Sequence, residues 1–394
     1  MSMTGQRAIA GFRAWRVRRV RAGACVLRVM ACVFAVVVWP AHGAPTTLPA
    51  FHGGGSLVGV AEAIAAPPMV VRWTYKPEEA DRGSIEGSPV IAGNTVYVAD
   101  GKGVLHAIDL QSGRSRWKYR TEDSFATTPL VVEGRVFLGD LAGLFHAVSA
   151  ETGQKLWTVD TESSIHASAN AAGPGVLLAN DGAELICLSA ADGKTIWKAQ
   201  GGDRINSAPA IANGLAYFSG CDAQLRAMDV EKGRELFSVD LGALVPGSPA
   251  IVGDRMVVGT DGGRVLCVST ATRQRLWTYE AIENEMMVYA SPAIAEGVVV
   301  IGARDRQVHA IDLESGKRAW VFRTRGEVDA SPVISAGRVY AASKDKNLYV
   351  LDLKSGRLLW QFGAGRAILA SPAISRGVLV VADSAGTVYC LEPK

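Results

Sequence analysis

The chain has 394 residues, and 48% of them are hydrophobic, which is enough to bury a large core. Its formal net charge of +3 is misleading, because residues 1–43 carry seven arginines and no lysine, aspartate or glutamate. Without those seven, 34 basic residues face 38 acidic ones, a balance of about −4, which excludes the basic surface of a nucleic-acid-binding protein.

The first 43 residues have the pattern of a signal peptide. Six arginines between positions 13 and 28 precede an apolar run over residues 29–39, and Ala41-His42-Gly43 is a small-x-small cleavage pattern. These eleven apolar residues are too few to span a bilayer. A lipidated cysteine would follow the apolar run, whereas Cys25 and Cys32 precede or begin it. The segment therefore predicts export to the periplasm or secretion, without a transmembrane span.

Residues 44–68 are rich in Ala, Gly and Pro and show no periodicity, which predicts a flexible tether. Residues 70–75 then have the pattern of a single strand with no partners before it. From residue 69 to residue 394 we expect one domain built from repeats.

A unit of about 40 residues repeats through this domain. Its clearest copy, residues 330–360, has three short β-type runs between Gly, Asp and Ser turns, and a fourth run that carries a tryptophan. When the units are aligned, the tryptophan position forms a column that contains Trp73, Trp117, Trp157, Trp197, Phe237, Trp277, Trp320 and Trp360. A Ser-Pro step recurs with the same period and gives eight units. Its second position is Pro89, Pro129, Ala169 (a substitution), Pro209, Pro249, Pro292, Pro332 and Pro372. The sequence predicts an all-β, eight-bladed β-propeller of four-stranded antiparallel blades.

The two ends of the domain predict how the ring closes. The last unit, residues 371–391, stops after three strands, and the strand at residues 70–75 lacks three partners. We expect residues 70–75 to complete the last blade, because closure removes the exposed edge of an open sheet.

The repeat resembles the pyrroloquinoline-quinone (PQQ) repeat family of eight-bladed propellers. The matching features are the Ser-Pro step, the strand and turn at residues 96–101, the Ala-Ile-Asp-Leu strand at residues 107–110, Ser112-Gly113 and Trp117. The family includes quinoprotein dehydrogenases, the non-enzymatic BamB-type factor of outer-membrane protein assembly, and many binding propellers. The resemblance implies the fold and leaves the function open.

Alignment of the eight units separates residues that build the fold from candidates for a site. Cys187, Cys267 and Cys390 share a column with alanines and a valine, which predicts buried free cysteines. Cys221 lies instead in a turn.

Two further columns also have a structural interpretation. Aspartates that precede Gly turns, such as Asp109 and Asp312, are expected to accept backbone N–H groups of those turns. The three histidines His106, His146 and His309 share a column with aliphatic and aromatic residues. That pattern favours a position on the strand surface over a metal site.

One column varies in a way that the fold does not require. The third residue before the Ser of each Ser-Pro step is apolar in every unit. The second residue before it differs from unit to unit, and the residue directly before it is small. Because adjacent side chains of a strand face opposite ways, the varied column is expected to face the mouth of the central channel. The polar members and three loop arginines form the predicted ligand- or partner-binding site: Glu86, His166, Asn206, Tyr289, Asp329, Arg204, Arg325 and Arg366. An ordinary solvated rim is the alternative.

The loop before Tyr289 is three residues longer than its equivalents and contains Met286-Met287. Methionines in such a loop are adaptable contacts for a partner, or they cap the core.

Two function classes follow. The first is a non-catalytic exported propeller that acts as a monomeric scaffold or binding protein in the cell envelope, with a protein partner or a small ligand and no metal. BamB-type function is one form of it, although that factor is a lipoprotein. A cytosolic propeller of the WD type is opposed by the signal peptide.

The second class is a quinoprotein-type oxidoreductase that binds PQQ with calcium. The resemblance implies calcium ligands of the Glu and Asn types and an Asp base, and Glu86, Asn206 and Asp329 are residues of those types on the expected face. Their roles do not carry over residue by residue. The pair of adjacent cysteines found in many of those enzymes is missing from this sequence, and the enzymes are longer.

Overall fold

The computed structural model describes residues 50–61, 67–79, 82–173, 175–280, 282 and 285–394. The predicted signal peptide, residues 1–43, and part of the predicted tether lie outside these ranges. The described residues form eight antiparallel sheets of four strands, seven of them in sequential order and the eighth completed by the first strand, as the repeat predicts. The eight-bladed propeller is therefore confirmed.

Each blade is an antiparallel meander, which we number in chain order from blade 1. The innermost strands are β2 (Val90–Ala92), β6 (Leu130–Val132), β10 (Asn170–Ala172), β14 (Ala210–Ala212), β18 (Ala250–Val252), β22 (Ala293–Ala295), β26 (Val333–Ser335) and β30 (Ala373–Ser375). The second strands are β3 (Thr95–Ala99), β7 (Arg135–Gly139), β11 (Gly175–Ala179), β15 (Leu215–Ser219), β19 (Arg255–Gly259), β23 (Val298–Ala303), β27 (Arg338–Ala342) and β31 (Val378–Ala382). Two-residue turns join them, for example Glu133 and Gly134 with φ of 49° and 73°, the type I′ geometry that fits twisted strands.

The outer half of each blade is longer. The third strands are β4 (Val104–Asp109), β8 (Leu144–Ser149), β12 (Glu184–Ser189), β16 (Gln224–Asp229), β20 (Val265–Ser269), β24 (Gln307–Asp312), β28 (Asn347–Asp352) and β32 (Val388–Pro393). The outermost strands are β5 (Ser115–Arg120), β9 (Lys155–Asp160), β13 (Thr195–Gln200), β17 (Glu235–Asp240), β21 (Arg275–Tyr279), β25 (Arg318–Arg323), β29 (Leu358–Gly363) and, for blade 8, β1 (Met69–Tyr75).

Strand β1 closes the ring. It pairs antiparallel with β32, from Met69 opposite Pro393 to Tyr75 opposite Val388. The N-terminal strand therefore completes the last blade, as the two incomplete ends of the repeat predict.

The core lies between successive blades, and the tryptophan column packs there. Trp73 of blade 8 donates its indole N–H to the Leu110 carbonyl of blade 1 at 2.8 Å. Gly113 lies under the same ring, where a Cβ atom would approach to 2.7 Å of the indole and where φ is +70°. The Ser-Gly turn of the repeat is thus glycine because the tryptophan of the preceding blade occupies the space of a side chain.

The predicted turn and cysteine columns are confirmed. Asp109 Oδ1 accepts the backbone N–H of Ser112, and Asp312 Oδ1 accepts that of Ser315. Cys187, Cys267 and Cys390 are free and buried. Burial raises the pKa of the Cys187 thiol to about 11, so it behaves as a small apolar residue.

A ring of hydrogen bonds links the blades around the channel. The backbone N–H of each Ser-Pro serine donates to the hydroxyl of the equivalent residue in the next blade, as from Ser331 to Ser371 at 3.0 Å. The ring closes from Ser371 to Ser88 at 3.2 Å, across 283 residues of chain. Seven of the eight positions supply the hydroxyl: Ser88, Thr128, Ser168, Ser248, Ser291, Ser331 and Ser371. The exception is Ala208, so the Ser168 N–H has no acceptor in the ring.

Residues 50–61 differ from the expected tether. This segment, called the plug below, lies inside the channel and contains a 3₁₀ turn at Phe51–Gly53. The His52 carbonyl accepts the Gly59 N–H at 3.2 Å, which closes the plug into a compact loop. Leu57 is 1% exposed and packs in the hydrophobic cluster between blades 4 and 5. The plug binds the blades mainly through its backbone groups. Such contacts leave no periodic pattern of side chains, so the sequence of this segment resembles that of a tether.

The histidine column is buried, and each histidine joins two blades. His146 is 2% exposed; its Nε2 lies 3.0 Å from Asp140 Oδ2 and its Nδ1 lies 2.9 Å from the Tyr119 hydroxyl of blade 1. Because the carboxylate only accepts, Nε2 carries the proton and Nδ1 accepts the Tyr119 O–H. Equivalent relays are Asp100–His106–Tyr75 and Asp305–His309–Tyr279. The expected strand-surface position is therefore wrong for these three side chains.

The gap in the serine ring predicts a stabilising substitution. Ala208→Ser supplies the missing acceptor for the Ser168 N–H, and we expect a gain of about 1 kcal/mol in the free energy of unfolding. Ser331→Ala removes the acceptor of the Ser291 N–H, and we expect a loss of similar size. Urea unfolding of the two variants measures both. A destabilised Ala208→Ser protein would contradict the role assigned to the ring.

The relay in blade 2 predicts a pH-dependent stability effect. Burial raises the pKa of Asp140, but hydrogen bonds from His146 and the Leu144 N–H outweigh it, and the net pKa lies below its ordinary value of 3.8. The carboxylate thus stabilises the fold at neutral pH, and this contribution is lost as the pH falls through the folded-state pKa.

We expect Asp140→Asn to lose about 2 kcal/mol at pH 7 and a smaller amount near pH 3. Urea unfolding at the two pH values measures the difference, with the exposed Glu151→Gln as the matched control. An equal loss at both pH values would show that the charge of Asp140 contributes nothing.

Candidate binding site at the channel mouth

All eight residues of the varied column line one cavity of about 530 Å³ at the channel mouth. The apolar residue before each of them is buried between blades; Ile85 is 1% exposed and Val328 is 0% exposed. Strand alternation then turns the next side chain toward the opening. The lining residues of this column are Glu86, Ala126, His166, Asn206, Pro246, Tyr289, Asp329 and Leu369.

The small residues that follow this column lie where neighbouring blades touch. A Cβ atom on Gly87 would lie 2.3 Å from the Thr127 carbonyl oxygen, and one on Gly247 would lie 2.9 Å from that of Ala290. Close backbone approach therefore explains why every unit has a small residue there.

The three loop arginines occupy different places. Arg204 lines the cavity, because it is two residues from Asn206 and thus on the same side of the chain. Arg325 and Arg366 are exposed and do not line the cavity. Arg366 is three residues from Leu369, so strand alternation turns it away from the mouth, whereas Arg325 is four residues from Asp329 and alternation does not account for its position.

A second varied column also reaches the cavity, and the sequence analysis missed it. It follows the second strand of each blade and contributes Asp181, Arg304 and Lys344 to the lining. The backbone N–H of each of these residues donates to a carbonyl of the adjacent leading loop, which fixes the column beside the mouth. Its non-repeating residues are the same signal that identified the first column.

The strongest charge cluster of the site surrounds Asp329. Arg304 donates to both carboxylate oxygens of Asp329 at 3.0 Å, and Lys344 Nζ lies 2.7 Å from Oδ2. Lys344 also contacts Glu327 at 2.7 Å. Burial raises the pKa of Asp329, but the hydrogen bonds from Arg304 and Lys344 outweigh it, and the net pKa is lowered. Asp329 is therefore an ionised, fully partnered carboxylate.

The remaining polar groups leave more capacity for a ligand. His166 Nδ1 lies 3.3 Å from Asp181 Oδ1 at the edge of blade 3. Asn206 Oδ1 is buried and has no hydrogen-bond partner among the described residues. Tyr289 is 48% exposed, with the Arg304 guanidinium 5.1 Å from its ring centroid. The cavity thus offers a free acceptor, an aromatic surface and charges of both signs.

The base of the cavity is closed by the plug. Phe51 is one of its lining residues, as are the hydroxyl residues of the serine ring. Each of those hydroxyls already accepts a backbone N–H, and each can still donate its own O–H. The mouth therefore leads to a floor of hydrogen-bond donors around one aromatic ring.

The aspartate of the type expected for a quinoprotein base is already paired. Both oxygens of Asp329 interact with Arg304 and Lys344, so neither is free to take a proton from a substrate in this arrangement. Within the described ranges, no group of three or more His, Cys, Asp or Glu side chains is arranged to hold a metal ion.

The blades, their Ser-Pro ring and the mouth cavity define an eight-bladed propeller of the PQQ-repeat class. The sequence profile of the family described as outer membrane protein assembly factor BamB matches residues 63–172, 142–286 and 267–394. Because these segments cover most of the chain, the protein belongs to this family. No curated protein sequence gives a significant match.

Solved structures share the fold at low sequence identity. BamB from Moraxella catarrhalis is 18% identical with a TM-score of 0.71, covering 83% of this chain and 98% of that one. The quinohemoprotein alcohol dehydrogenase from Comamonas testosteroni is 14% identical with a TM-score of 0.75, covering 88% and 81%. A europium-containing methanol dehydrogenase is 13% identical with a TM-score of 0.75, covering 89% and 98%. Such identities establish the architecture alone.

The part of the chain with described structure contains no helix long and apolar enough to cross a membrane.

The cluster around Asp329 predicts a measurable coupling between two side chains. In a double-mutant cycle of Arg304→Leu and Asp329→Asn, we expect a coupling energy of about 1 kcal/mol, because the bidentate pair is only partly exposed. Urea unfolding of the four proteins measures it. The matched control is Arg325→Leu with Asp329→Asn, which should be additive. A cycle with Arg304 that is also additive would contradict the pairing.

Proposed function

We propose that the protein is an exported, non-catalytic propeller that binds a polypeptide partner in the cell envelope through the face around its channel mouth. The proposal rests on the difference between repeated and varied columns of the aligned blades. The columns that repeat build the fold, while the residues that differ between blades converge on one cavity. Pockets of about 300–1,000 Å³ with a few convergent polar groups are typical binding sites.

An apolar rim beside the cavity supports a protein partner. Leu244, Met286 and Tyr289 are 38%, 36% and 48% exposed on the leading loops of blades 5 and 6. These loops are neighbours: the Leu244 carbonyl accepts the Asp261 N–H, and a Cβ atom on Gly263 would lie 2.6 Å from the Glu285 Cα. Exposed Tyr, Met and Leu next to charged residues have the composition of an interface anchor.

The family supports an envelope location and a role in assembly. Its description names an outer membrane protein assembly factor, and the N-terminal pattern predicts export. We therefore propose a monomeric periplasmic scaffold whose partner belongs to an envelope assembly machinery.

Site-specific photocrosslinking in cells tests the proposal. A photoreactive amino acid replaces Leu244 or Met286 at the mouth, and Leu236 on an outermost strand is the matched control, with 42% exposure. We expect a discrete crosslink to an envelope protein from the mouth positions, at least threefold stronger than from position 236. Tyr289→Ala should reduce the crosslink from position 244. Equal crosslinking from all three positions would contradict a partner surface at the mouth.

A quinone-dependent oxidoreductase is the second candidate, and the shared fold with a quinohemoprotein alcohol dehydrogenase favours it. Titration with PQQ and Ca²⁺, followed by absorbance and dye-linked oxidation of alcohols or sugars, tests it directly. We expect no saturable binding, because the Asp329 oxygens are occupied. Tight binding that disappears in Asp329→Ala or Glu86→Ala would replace the scaffold proposal.

A further inference from the structure

The innermost strands present a row of backbone N–H groups to the channel. In each blade this row is formed by the middle residue of the first strand, whose N–H points away from the second strand. The plug provides acceptors for four of these groups. The N–H groups of Ile211, Ile251, Ile294 and Ile334 donate to the carbonyls of Gly55, Ser56, Val58 and Gly59 at 2.8–2.9 Å. Blade 3 is satisfied locally, because Asn170 Oδ1 accepts the Ala171 N–H at 2.9 Å.

Three blades are not covered by the plug. The equivalent residues of blades 8, 1 and 2 are Ile374, Ile91 and Val131, and no acceptor for their N–H groups lies among the described residues. The plug therefore leaves one sector of the inner edge open.

A groove of about 240 Å³ lies along this open sector. It is lined by Ile91 and Ile374 on the blade side and by His52, Gly59 and Val60 on the plug side. Ser88 and Ser371 line both this groove and the mouth cavity. The two spaces are thus adjoining parts of one channel.

His52 lines the groove on the plug side. It is 6% exposed, and its Nδ1 lies 3.3 Å from the Leu57 carbonyl, so Nδ1 donates and carries the proton. Its Nε2 is buried without a partner among the described residues and is not accessible from the groove. Burial lowers the pKa of His52 to about 4, which keeps the ring neutral at physiological pH. The groove therefore offers a ligand the N–H donors of the blades.

We propose that this groove binds a short extended stretch of a partner polypeptide by its backbone. Carbonyls of the peptide accept the N–H groups of Ile374 and Ile91. The plug is the template for this occupant, because its own backbone carbonyls accept the equivalent N–H groups of blades 4 to 7. Gly53, Gly59 and Val60 line the plug side of the groove, so the peptide would lie between the plug and the inner strands.

This site is distinct from the mouth-face surface proposed above, since it recognises backbone groups and lies beside the plug. A partner could use either one without the other. The two proposals therefore fail separately: the crosslinking experiment reports on the mouth, and the following experiment reports on the groove.

Hydrogen exchange of the full chain, read by mass spectrometry, tests the open sector. We expect segments that contain Ile91 or Ile374 to exchange at least tenfold faster at the inner strand than those that contain Ile251 or Ile294. Equal protection of both sets would show that the sector is already covered and would overturn the proposal.

The probe for binding is a synthetic peptide, Gly-Gly-Ser-Leu-Val-Gly-Val-Ala, which copies residues 54–61. At millimolar concentration we expect it to slow exchange at Ile91 and Ile374 at least threefold and to leave Ile251 and Ile294 unchanged. No slowing, or a change confined to the covered blades, would overturn the proposal.

Two matched variants locate the peptide. Val60→Trp fills the groove and should weaken peptide protection at least tenfold, whereas Val60→Ala should retain it. Full peptide protection in a folded Val60→Trp protein would overturn the assignment. If Val60→Trp does not fold, the exchange of the unchanged chain with and without the peptide decides.

Discussion

The structure depends on the ring of hydrogen bonds between backbone N–H groups and hydroxyls that runs from blade to blade around the channel. Each blade buries its faces against two neighbours, so the register between blades must be fixed at the crowded inner end. The bond from Ser371 to Ser88 fixes the last contact of the ring between residues 283 positions apart. Strand β1 fixes the same closure at the outer edge through its pairing with β32. The inner bond thus joins blades 8 and 1, and the outer pairing completes blade 8 with the strand that leads into blade 1.

Contacts between blades also explain how residues vary together along the chain. Where the third strand carries His, the outermost strand of the preceding blade carries Tyr, as in His146 with Tyr119. Where the third strand carries Tyr, the preceding blade carries Phe, as in Tyr349 with Phe322 and Tyr389 with Phe362. A hydroxyl is present on only one side of each pair, and it donates either to the histidine or directly to the turn aspartate. The buried polar groups are therefore satisfied in both versions.

The period of the repeat was sufficient to predict the blade number, the strand order and the closure by residues 70–75. Column comparison also predicted that Glu86, His166, Asn206, Tyr289 and Asp329 share one mouth, since strand alternation alone determines which way they face. Whether that mouth binds a partner stays a prediction. The Arg304 partner of Asp329 could not be read in the same way, because it comes from the preceding blade and the spacing between blades is not visible in one repeat.

The plug was hidden from the sequence for a different physical reason. Its bonds use carbonyls of Gly55, Ser56, Val58 and Gly59, and a carbonyl is available at every residue whatever its side chain. Only Leu57 and Asn170 mark the interaction in side-chain terms: Leu57 is a buried apolar residue in a Gly-rich stretch, and Asn170 stands in a column of apolar residues.

The arrangement of plug and blades explains how the channel can hold two different environments. The inner edges offer donors in all eight blades, and the described groups of the chain accept five of them. The three donors without an acceptor among the described residues are adjacent, in blades 8, 1 and 2. Asn170 ends the covered arc at blade 3, because its side chain binds both Gly55 and the Pro209 carbonyl. The twelve-residue plug therefore covers the inner strands on one side of the channel and leaves the other side uncovered by its own residues. This asymmetry distinguishes one sector of a channel whose eight blades otherwise repeat.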